Sequence, residues 1–184
     1  MASGFQTEPN RRSAGWKVIR DSFEARDDGG ALAPSSAHDR GEVTMSATGL
    51  EVFDQTLQKA NIWLKEITEE LGPDRQRAYH ALRAVLHSLR DRLTVEEAAH
   101  LSAQLPLLVR GIYFEGWHPA GKPNKDRSMD EFLGHVRERL QGIEPINPET
   151  ATRAVFRVLQ HNVTDNEVAQ VKAMMGKALQ PLWP

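Results

Sequence analysis

Apolar residues after position 45 recur at alternating steps of four and three, which is the spacing of an amphipathic helix. The first such segment places six of them on one stripe: Phe53, Leu57, Ala60, Leu64, Ile67 and Leu71. Gly72-Pro73 ends this helix, and Pro73 suits the first turn of the next one. No segment alternates with the period of a strand. The pattern therefore predicts an all-α protein.

The stretch from Ala81 to Tyr113 recurs seventy positions later, without a gap, as Ala151 to Trp183. Identical aligned residues are Ala81/Ala151, Arg83/Arg153, Ala84/Ala154, Val85/Val155, Leu89/Leu159, Thr94/Thr164, Glu97/Glu167, Ala99/Ala169 and Ala103/Ala173. The preceding helices match at an offset of 69, with the pairs Trp63/Phe132, Leu64/Leu133, Ile67/Val136 and Leu71/Leu140. Because such units bury their faces against each other, we expect six helices in two tandem three-helix repeats. The repeats span about 50–115 and about 128–184 and pack round a pseudo-twofold axis as one closed bundle.

Several helix starts carry capping residues. The predicted caps are Thr94 with Glu97, Thr164 with Glu167, Ser128 with Glu131, and Asn147 followed by Pro148. Pro106 and its counterpart Gly176 lie inside the third and sixth helices, where both should bend the helix. The bends either let a long helix wrap the core or free carbonyls that line a groove; the first interpretation is favoured.

Residues 1–44 combine glycine, serine, aspartate and arginine with scattered apolar side chains. Such a segment cannot repay the entropy of ordering, so we expect it to be disordered. Arg40-Gly41-Glu42 can be encoded by a purine-rich stretch typical of a bacterial ribosome-binding site. We therefore expect that the native start is Met45 and that residues 45–184 form a single helical domain.

The chain has 184 residues, no cysteine and a formal net charge of -2. The lack of cysteine excludes disulfides and thiolate chemistry, and it is typical of a reducing cytoplasm. The balanced charge gives no field that attracts nucleic acid or an anionic membrane. No run of about 18 apolar residues occurs, and the first residues lack a signal-peptide core. We expect a cytoplasmic protein without a membrane or nucleic-acid partner.

Candidate chemistry along the chain is sparse. His80 and His87 share a helix face with Arg83 between them, and His100 follows Glu96 by one turn without a third ligand nearby. These spacings favour solvated helix faces over a metal site, so we expect neither a metal nor another cofactor. His118 is the best acid–base candidate, but no nucleophile or carboxylate is positioned beside it by sequence. The sequence favours a protein that is not an enzyme.

A basic loop, residues 118–127, joins the two repeats. It is interpreted as a solvated linker in preference to a phosphate contact, because no aromatic interleaving accompanies the charge. Tyr113, Phe114 and Trp117 precede it and are interpreted mainly as core, with Trp117 kept as a candidate anchor for a partner.

Three runs of the chain are similar to a known family. They are Leu86 to Leu93, Glu97 to Pro106 and Arg110 to Trp117. With their linked Gln-Leu-Pro and Arg-Gly-x-Tyr-x-x-Gly-Trp elements, they resemble the bacterial domain of unknown function numbered 2267, over about Leu50 to Pro184. The resemblance implies an all-helical duplicated domain and supplies no activity, cofactor or catalytic residue. Met174-Met175-Gly176 replaces Gln104-Leu105-Pro106 in the second copy, so a surface built on the first copy should be asymmetric.

The leading functional hypothesis is a protein-interaction or scaffold module without catalytic activity. A groove between the repeats would face a protein partner or a second copy of the chain. Its expected surface residues are Arg110, Tyr113, Glu115, Trp117 and His118. The alternative is a small-molecule-binding or hydrolytic protein that uses His118 and Glu115 across the cleft between the repeats.

Overall fold

The computed structural model describes residues 48–125, 128–142 and 145–184. The expected disorder of residues 1–44 and the proposed start at Met45 lie outside the described residues. The helices are α1 (Glu51–Leu71), α2 (Arg75–Arg92), α3 (Val95–Gln104), α4 (Leu107–Phe114), α5 (Met129–Arg139), α6 (Pro148–Asn162), α7 (Asp165–Met175) and a C-terminal 3₁₀ helix (Lys177–Leu182). None of the described residues lies in a strand, and the all-α prediction is confirmed.

The predicted number of six helices is wrong, because the two expected bends are complete helix ends. Leu105, the residue before Pro106, is extended with φ -79° and ψ 142°, so α3 stops at Gln104 and α4 begins after the proline. Gly176 has φ 76°, a left-handed conformation that ends α7 and leads into the 3₁₀ helix. Each break redirects the chain more sharply than a bent helix would.

The observed caps agree with the sequence at some helix starts and differ at others. Ser128 and Glu131 form both bonds of a capping box, and Asn147 accepts the amides of Glu149 and Thr150 ahead of Pro148. Thr94 accepts the amide of Glu97 at 3.2 Å. Thr164 makes no side-chain cap bond, so the second threonine box is wrong. The second helix starts at Arg75, because Asp74 caps it, and Pro73 therefore precedes it rather than forming its first turn.

One continuous hydrophobic core runs through the helices. The largest fully buried side chains in the described chain are Trp63, Tyr113, Phe132, Phe156, Ile67, Leu82, Leu86, Leu89, Leu93, Leu101, Leu159 and Met175. Helix α2 packs against α1, α4, α5 and α6, and α3 packs against α7. Helix α2 is thus the central element, which explains why residues on most of its faces are buried.

The amino-terminal half of α1 departs from the predicted buried stripe. Ala60 and Ile67 are buried as expected, but Phe53 is 49% exposed and Leu57 is 41% exposed. The first turns of α1 are therefore not fully covered by the other described helices. Periodicity identifies which side of a helix is apolar, but it does not show how far along the helix the covering elements extend.

A pair of glutamates lies where α3 packs against α7. Glu97 Oε2 and Glu167 Oε1 are buried and have no hydrogen-bond partner among the described residues. Burial raises the pKa of Glu167, His100 opposes this rise, and the Glu97 carboxylate adds to it. The repeated glutamates thus act against each other at this contact.

Replacing Glu167 with glutamine should stabilise the protein at neutral pH. A group whose pKa is raised by folding contributes stability at low pH and loses it as the pH rises through the folded pKa. Glu167→Gln should therefore raise Tm by a few degrees at pH 7 and leave it unchanged near pH 3. Calorimetric melting curves test this, with Glu69→Gln on the exposed side of α1 as the control. An equal shift at both pH values would contradict it.

Candidate interaction surface

The five expected surface residues lie on α4 and the segment after it. Arg110 and Tyr113 are on α4, and Glu115, Trp117 and His118 follow its carboxyl end. The side chains of Arg110 and Glu115 are bonded within the molecule, whereas Tyr113 Oη and Trp117 Nε1 are buried without a hydrogen-bond partner among the described residues.

The Arg110 side chain replaces a helix hydrogen bond that is lost at Pro106. Proline has no N–H to donate to the carbonyl of Ser102, four residues earlier. The Arg110 side chain takes that place, since its Nε donates to the Ser102 carbonyl at 2.7 Å. Its Nη2 donates to the carbonyls of Ala103 and Leu105 at 3.2 and 3.1 Å. Arg110 therefore satisfies the carbonyls that were candidates for lining a groove.

Side chains of α2 hold the carboxyl end of α4. His87 Nε2 lies 2.7 Å from the carbonyl of Ile112, and Arg90 Nη1 donates to the carbonyls of Tyr113 and of Glu115, the latter at 2.9 Å. Burial lowers the pKa of His87 to about 4, so its ring is neutral at pH 7 and donates its N–H. These bonds supply hydrogen-bond donors to carbonyls at the carboxyl end of α4, which have no donor within the helix.

Glu115 forms an ion pair with Arg83 of α2. Arg83 Nε and Glu115 Oε2 are 2.7 Å apart, and both side chains are partly exposed. The hydrogen bond from Arg83 lowers the pKa of Glu115 against the effect of burial. The carboxylate is therefore ionised at neutral pH and acts as a hydrogen-bond acceptor for the guanidinium.

Arg90 and Asp91 form a buried polar centre on α2. Arg90 Nε donates to Asp91 Oδ1 at 3.2 Å, while Lys122 and Arg139 each reach Asp91 Oδ2 at 3.0 Å. The amide of Asn124 donates to the Asp91 carbonyl at 2.7 Å. Burial alone would raise the pKa of Asp91, but hydrogen bonds from Lys122 and Arg90 outweigh burial and lower it.

These contacts change the interpretation of the basic loop. Lys122 is held by Asp91, and Asn124 is bonded to the backbone of α2, so this part of the loop is docked on the domain. The expectation of a solvated linker is therefore wrong at Lys122 and Asn124. Lys122 is also no free cation for a phosphate group.

The aromatic residues of this segment belong to the core. Tyr113 is 0% exposed, and Phe114 and Trp117 pack against the core while partly buried. Phe114 bridges the other two, with ring centroids 5.0 Å from Tyr113 and 5.1 Å from Trp117. The core interpretation is confirmed, and Tyr113 has no surface to offer a partner. His118 is exposed.

A cleft of about 250 Å³ opens between α1, the α3–α4 break and the end of α6. It is lined by Lys59, Ile62, Trp63, Gln104, Pro106 and Asn162. Trp63 is buried and forms part of the wall, whereas Ile62 is 46% exposed at the rim. The sequence indicated a possible groove at Pro106. It gave no sign that the cleft would also be lined by Lys59, Ile62, Gln104 and Asn162.

Exposed apolar side chains also cluster at the amino-terminal end of α1, before the residues that line the cleft. They are Leu50, Val52, Phe53 and Leu57. We call these four residues the α1 surface. Ile62 belongs to the cleft instead, because at 100° per residue it lies on the opposite side of α1 from Phe53. Leu107 and Leu108 are also exposed and directly follow Pro106 at the cleft. Contiguous exposed apolar side chains of this kind mark contact sites for other molecules.

Two further properties of the described residues bear on other functions. No group of three or more histidine, cysteine, aspartate or glutamate side chains in residues 48–125, 128–142 and 145–184 is arranged to hold a metal ion. Among the helices of these same ranges, none has the length and apolar character needed to cross a bilayer.

Removing the Asp91 carboxylate should destabilise the protein strongly. Asp91→Asn leaves the buried Arg90 without its counter-charge, which costs about 3 kcal/mol or more. Because folding lowers the pKa of Asp91, the loss should be full above about pH 4 and shrink as the pH falls further. Urea unfolding over this pH range measures it. The control is Glu149→Gln in an exposed pair with Arg153, and a loss at pH 7 no larger than the control's would contradict the role of Asp91.

Arg110 and Pro106 should be coupled. Arg110→Met should cost about 1.5–3 kcal/mol in the natural chain, because hydrogen bonds from a charged donor are lost. In a Pro106→Ala background the cost should be smaller, since the new N–H can bond the Ser102 carbonyl. A double-mutant cycle of unfolding free energies measures the coupling. Equal costs in both backgrounds would show that Arg110 does not compensate for the proline.

A comparison with curated proteins finds no match. A protein-family model described as "Uncharacterized conserved protein (DUF2267)" matches residues 60–182, which is more than half of the chain. The match includes α2 to α7 and all of the residues that hold α4 and the basic loop in place. The chain therefore belongs to the DUF2267 family.

Proposed function

We propose that this chain is a cytoplasmic protein-interaction module without catalytic activity. The observation that carries the proposal is the α1 surface, whose large apolar side chains the other described helices leave exposed, on the same helix as part of the cleft lining. An amphipathic helix with an unpartnered apolar part is suited to helix-in-groove or helix-on-helix contacts with another protein. The lack of cysteine supports a reducing compartment.

The internal duplication is part of the same proposal. Helices α2 and α6 end seventy residues apart, and α3 and α7 begin seventy residues apart. The contacts between the copies are reciprocal: α1 packs on α6 as α5 packs on α2, and α2 pairs with α6 as α3 pairs with α7. These relations support two repeats, about 50–115 and about 128–184, round a pseudo-twofold axis in one domain spanning 45–184.

The size of the cleft favours a protein partner over a metabolite. Pockets for small ligands usually have volumes of roughly 300–1,000 Å³ and enclose most of the ligand. The cleft is smaller, at about 250 Å³, and the α1 surface precedes its lining residues along the same helix. A partner that inserts one side chain and lies along α1 would cover both features.

The hydrolytic alternative has weaker support. It requires Glu115 to assist His118, but Glu115 is bound by Arg83 and its lowered pKa makes it a poor base. Arg110 is likewise occupied by backbone carbonyls, and Tyr113 is buried. Of the five residues expected from the sequence, Trp117 and His118 remain as a second proposed contact region.

A charge placed on the α1 surface should abolish partner binding. We expect Leu57→Asp, at a position 41% exposed and outside the cleft lining, to reduce partner binding or self-association at least tenfold, because burying an unpaired carboxylate is costly. Val95→Asp is the matched control, since Val95 is 47% exposed and lies at the other end of α3 from Gln104.

The measurement combines analytical ultracentrifugation with quantitative affinity capture from the source cells. Both variants should melt like the natural chain. If Leu57→Asp and Val95→Asp show the same assembly size and the same captured proteins, the α1 surface is not the contact site.

A further inference from the structure

We propose that the cleft beside Pro106 binds the carboxyl-terminal residue of a partner protein, with an apolar side chain at that residue. This inference rests on the proposed function and names the chemistry of the partner. The lining has three kinds of group in one small space: an apolar wall, a lysine and two side-chain amides. A peptide carboxyl terminus presents a complement to each of them.

The apolar part of the cleft is formed by Ile62, Trp63 and Pro106. Trp63 is held in the core, so it is a rigid wall, and Ile62 stands at the exposed rim. Leu107 and Leu108 extend the apolar rim beyond Pro106. A leucine or phenylalanine side chain inserted here would remove apolar surface from water on both partners.

The charged part of the cleft is Lys59. Neither Lys59 nor Gln104 has a hydrogen-bond or ion-pair partner within the described ranges. Lysine and a carboxamide are both donors suited to a carboxylate, and the bond from an ammonium to a carboxylate is among the stronger hydrogen bonds in proteins. Placed next to an apolar wall, these donors favour a carboxylate attached to an apolar group.

Asn162 supplies the remaining contact. Its Nδ2 donates to the carbonyl of Val158 at 2.9 Å and to the carboxylate of Glu66 at 3.3 and 3.4 Å. Its Oδ1 is therefore left as an acceptor for the N–H of the terminal residue of a peptide. Glu66 is already bound by Asn162 and lies 3.5 Å from His161, so Lys59 is the charged side chain of the cleft that has no partner among the described residues.

Trp183 and Pro184 of this chain are poor candidates for this site. Trp183 is buried, stacked on Phe156 with ring centroids 4.2 Å apart. Pro184 has no N–H to donate to Asn162. The proposal therefore commits to the terminus of a different protein.

The test uses the full chain labelled with ¹⁵N and the probe N-acetyl-Leu-Phe with a free carboxylate. Two comparison probes are the same dipeptide as a carboxyl-terminal amide, and benzoate as a small apolar acid. We expect the free acid to shift the side-chain NH₂ signals of Gln104 and Asn162 in a saturable titration. The amide and benzoate should each bind at least tenfold more weakly.

Two variants identify the charge responsible. Lys59→Met should reduce binding of the free acid about tenfold and remove its advantage over the amide. Lys65→Met, an exposed lysine on the same helix, should leave both unchanged. Equal binding of acid and amide, benzoate binding as tightly as the peptide, or shifts confined to other residues would each overturn the proposal.

The failure of this inference is separable from failure of the proposed function. If Leu57→Asp abolishes partner binding while the free acid does not bind the natural chain, the interaction surface stands and the assigned terminus is wrong. If the acid binds through Lys59 while Leu57→Asp and Val95→Asp behave alike, the cleft takes this chemistry, and the α1 surface is not the contact site.

Discussion

Two neighbouring residues of opposite charge, Arg90 and Asp91, are buried on the central helix, and three other parts of the chain attach to them. Arg90 binds carbonyls at the end of α4, and Asp91 binds Lys122 of the basic loop and Arg139 of α5. A buried ion pair need not stabilise a protein more than apolar residues would. Removing one member, however, leaves the other as an unpaired buried charge, which is strongly destabilising. This mutual dependence fixes the positions of α4, the loop and α5 relative to α2.

The pair has no equivalent in the proposed second repeat. Seventy residues after Arg90 and Asp91 stand Gln160 and His161, where Gln160 accepts a bond from Lys172 and the His161 side chain is largely exposed. The described residues therefore hold no second buried ion pair at these positions. The cations of the polar centre and those beside it bind backbone carbonyls and carboxylates of the domain itself. The proposed surface for a partner is instead the α1 surface, together with the cleft on the same helix.

Much of the fold followed from the sequence, and the candidate site did not. Periodicity and caps predicted the helix type and most helix starts, because both depend on neighbouring residues. Pro106 was predicted to bend one helix, but it separates two. The effect of a proline depends on whether another group can replace the lost hydrogen bond, and here the Arg110 side chain replaces it. The cleft joins side chains from α1, the α3–α4 break and α6, and local spacing carries no information about such a meeting. Lys122 likewise looked free, because its partner Asp91 is distant in sequence.

Hydrogen exchange at one amide tests the role of the buried pair most directly. The Asn124 amide lies in a loop with no regular structure and donates to the Asp91 carbonyl at 2.7 Å. If the polar centre holds the loop on α2, this amide should exchange as slowly as the core amides of α2, through unfolding of the domain. Exchange of the Asn124 amide at a rate close to that of an unprotected peptide would show that the loop opens independently, and it would contradict the account.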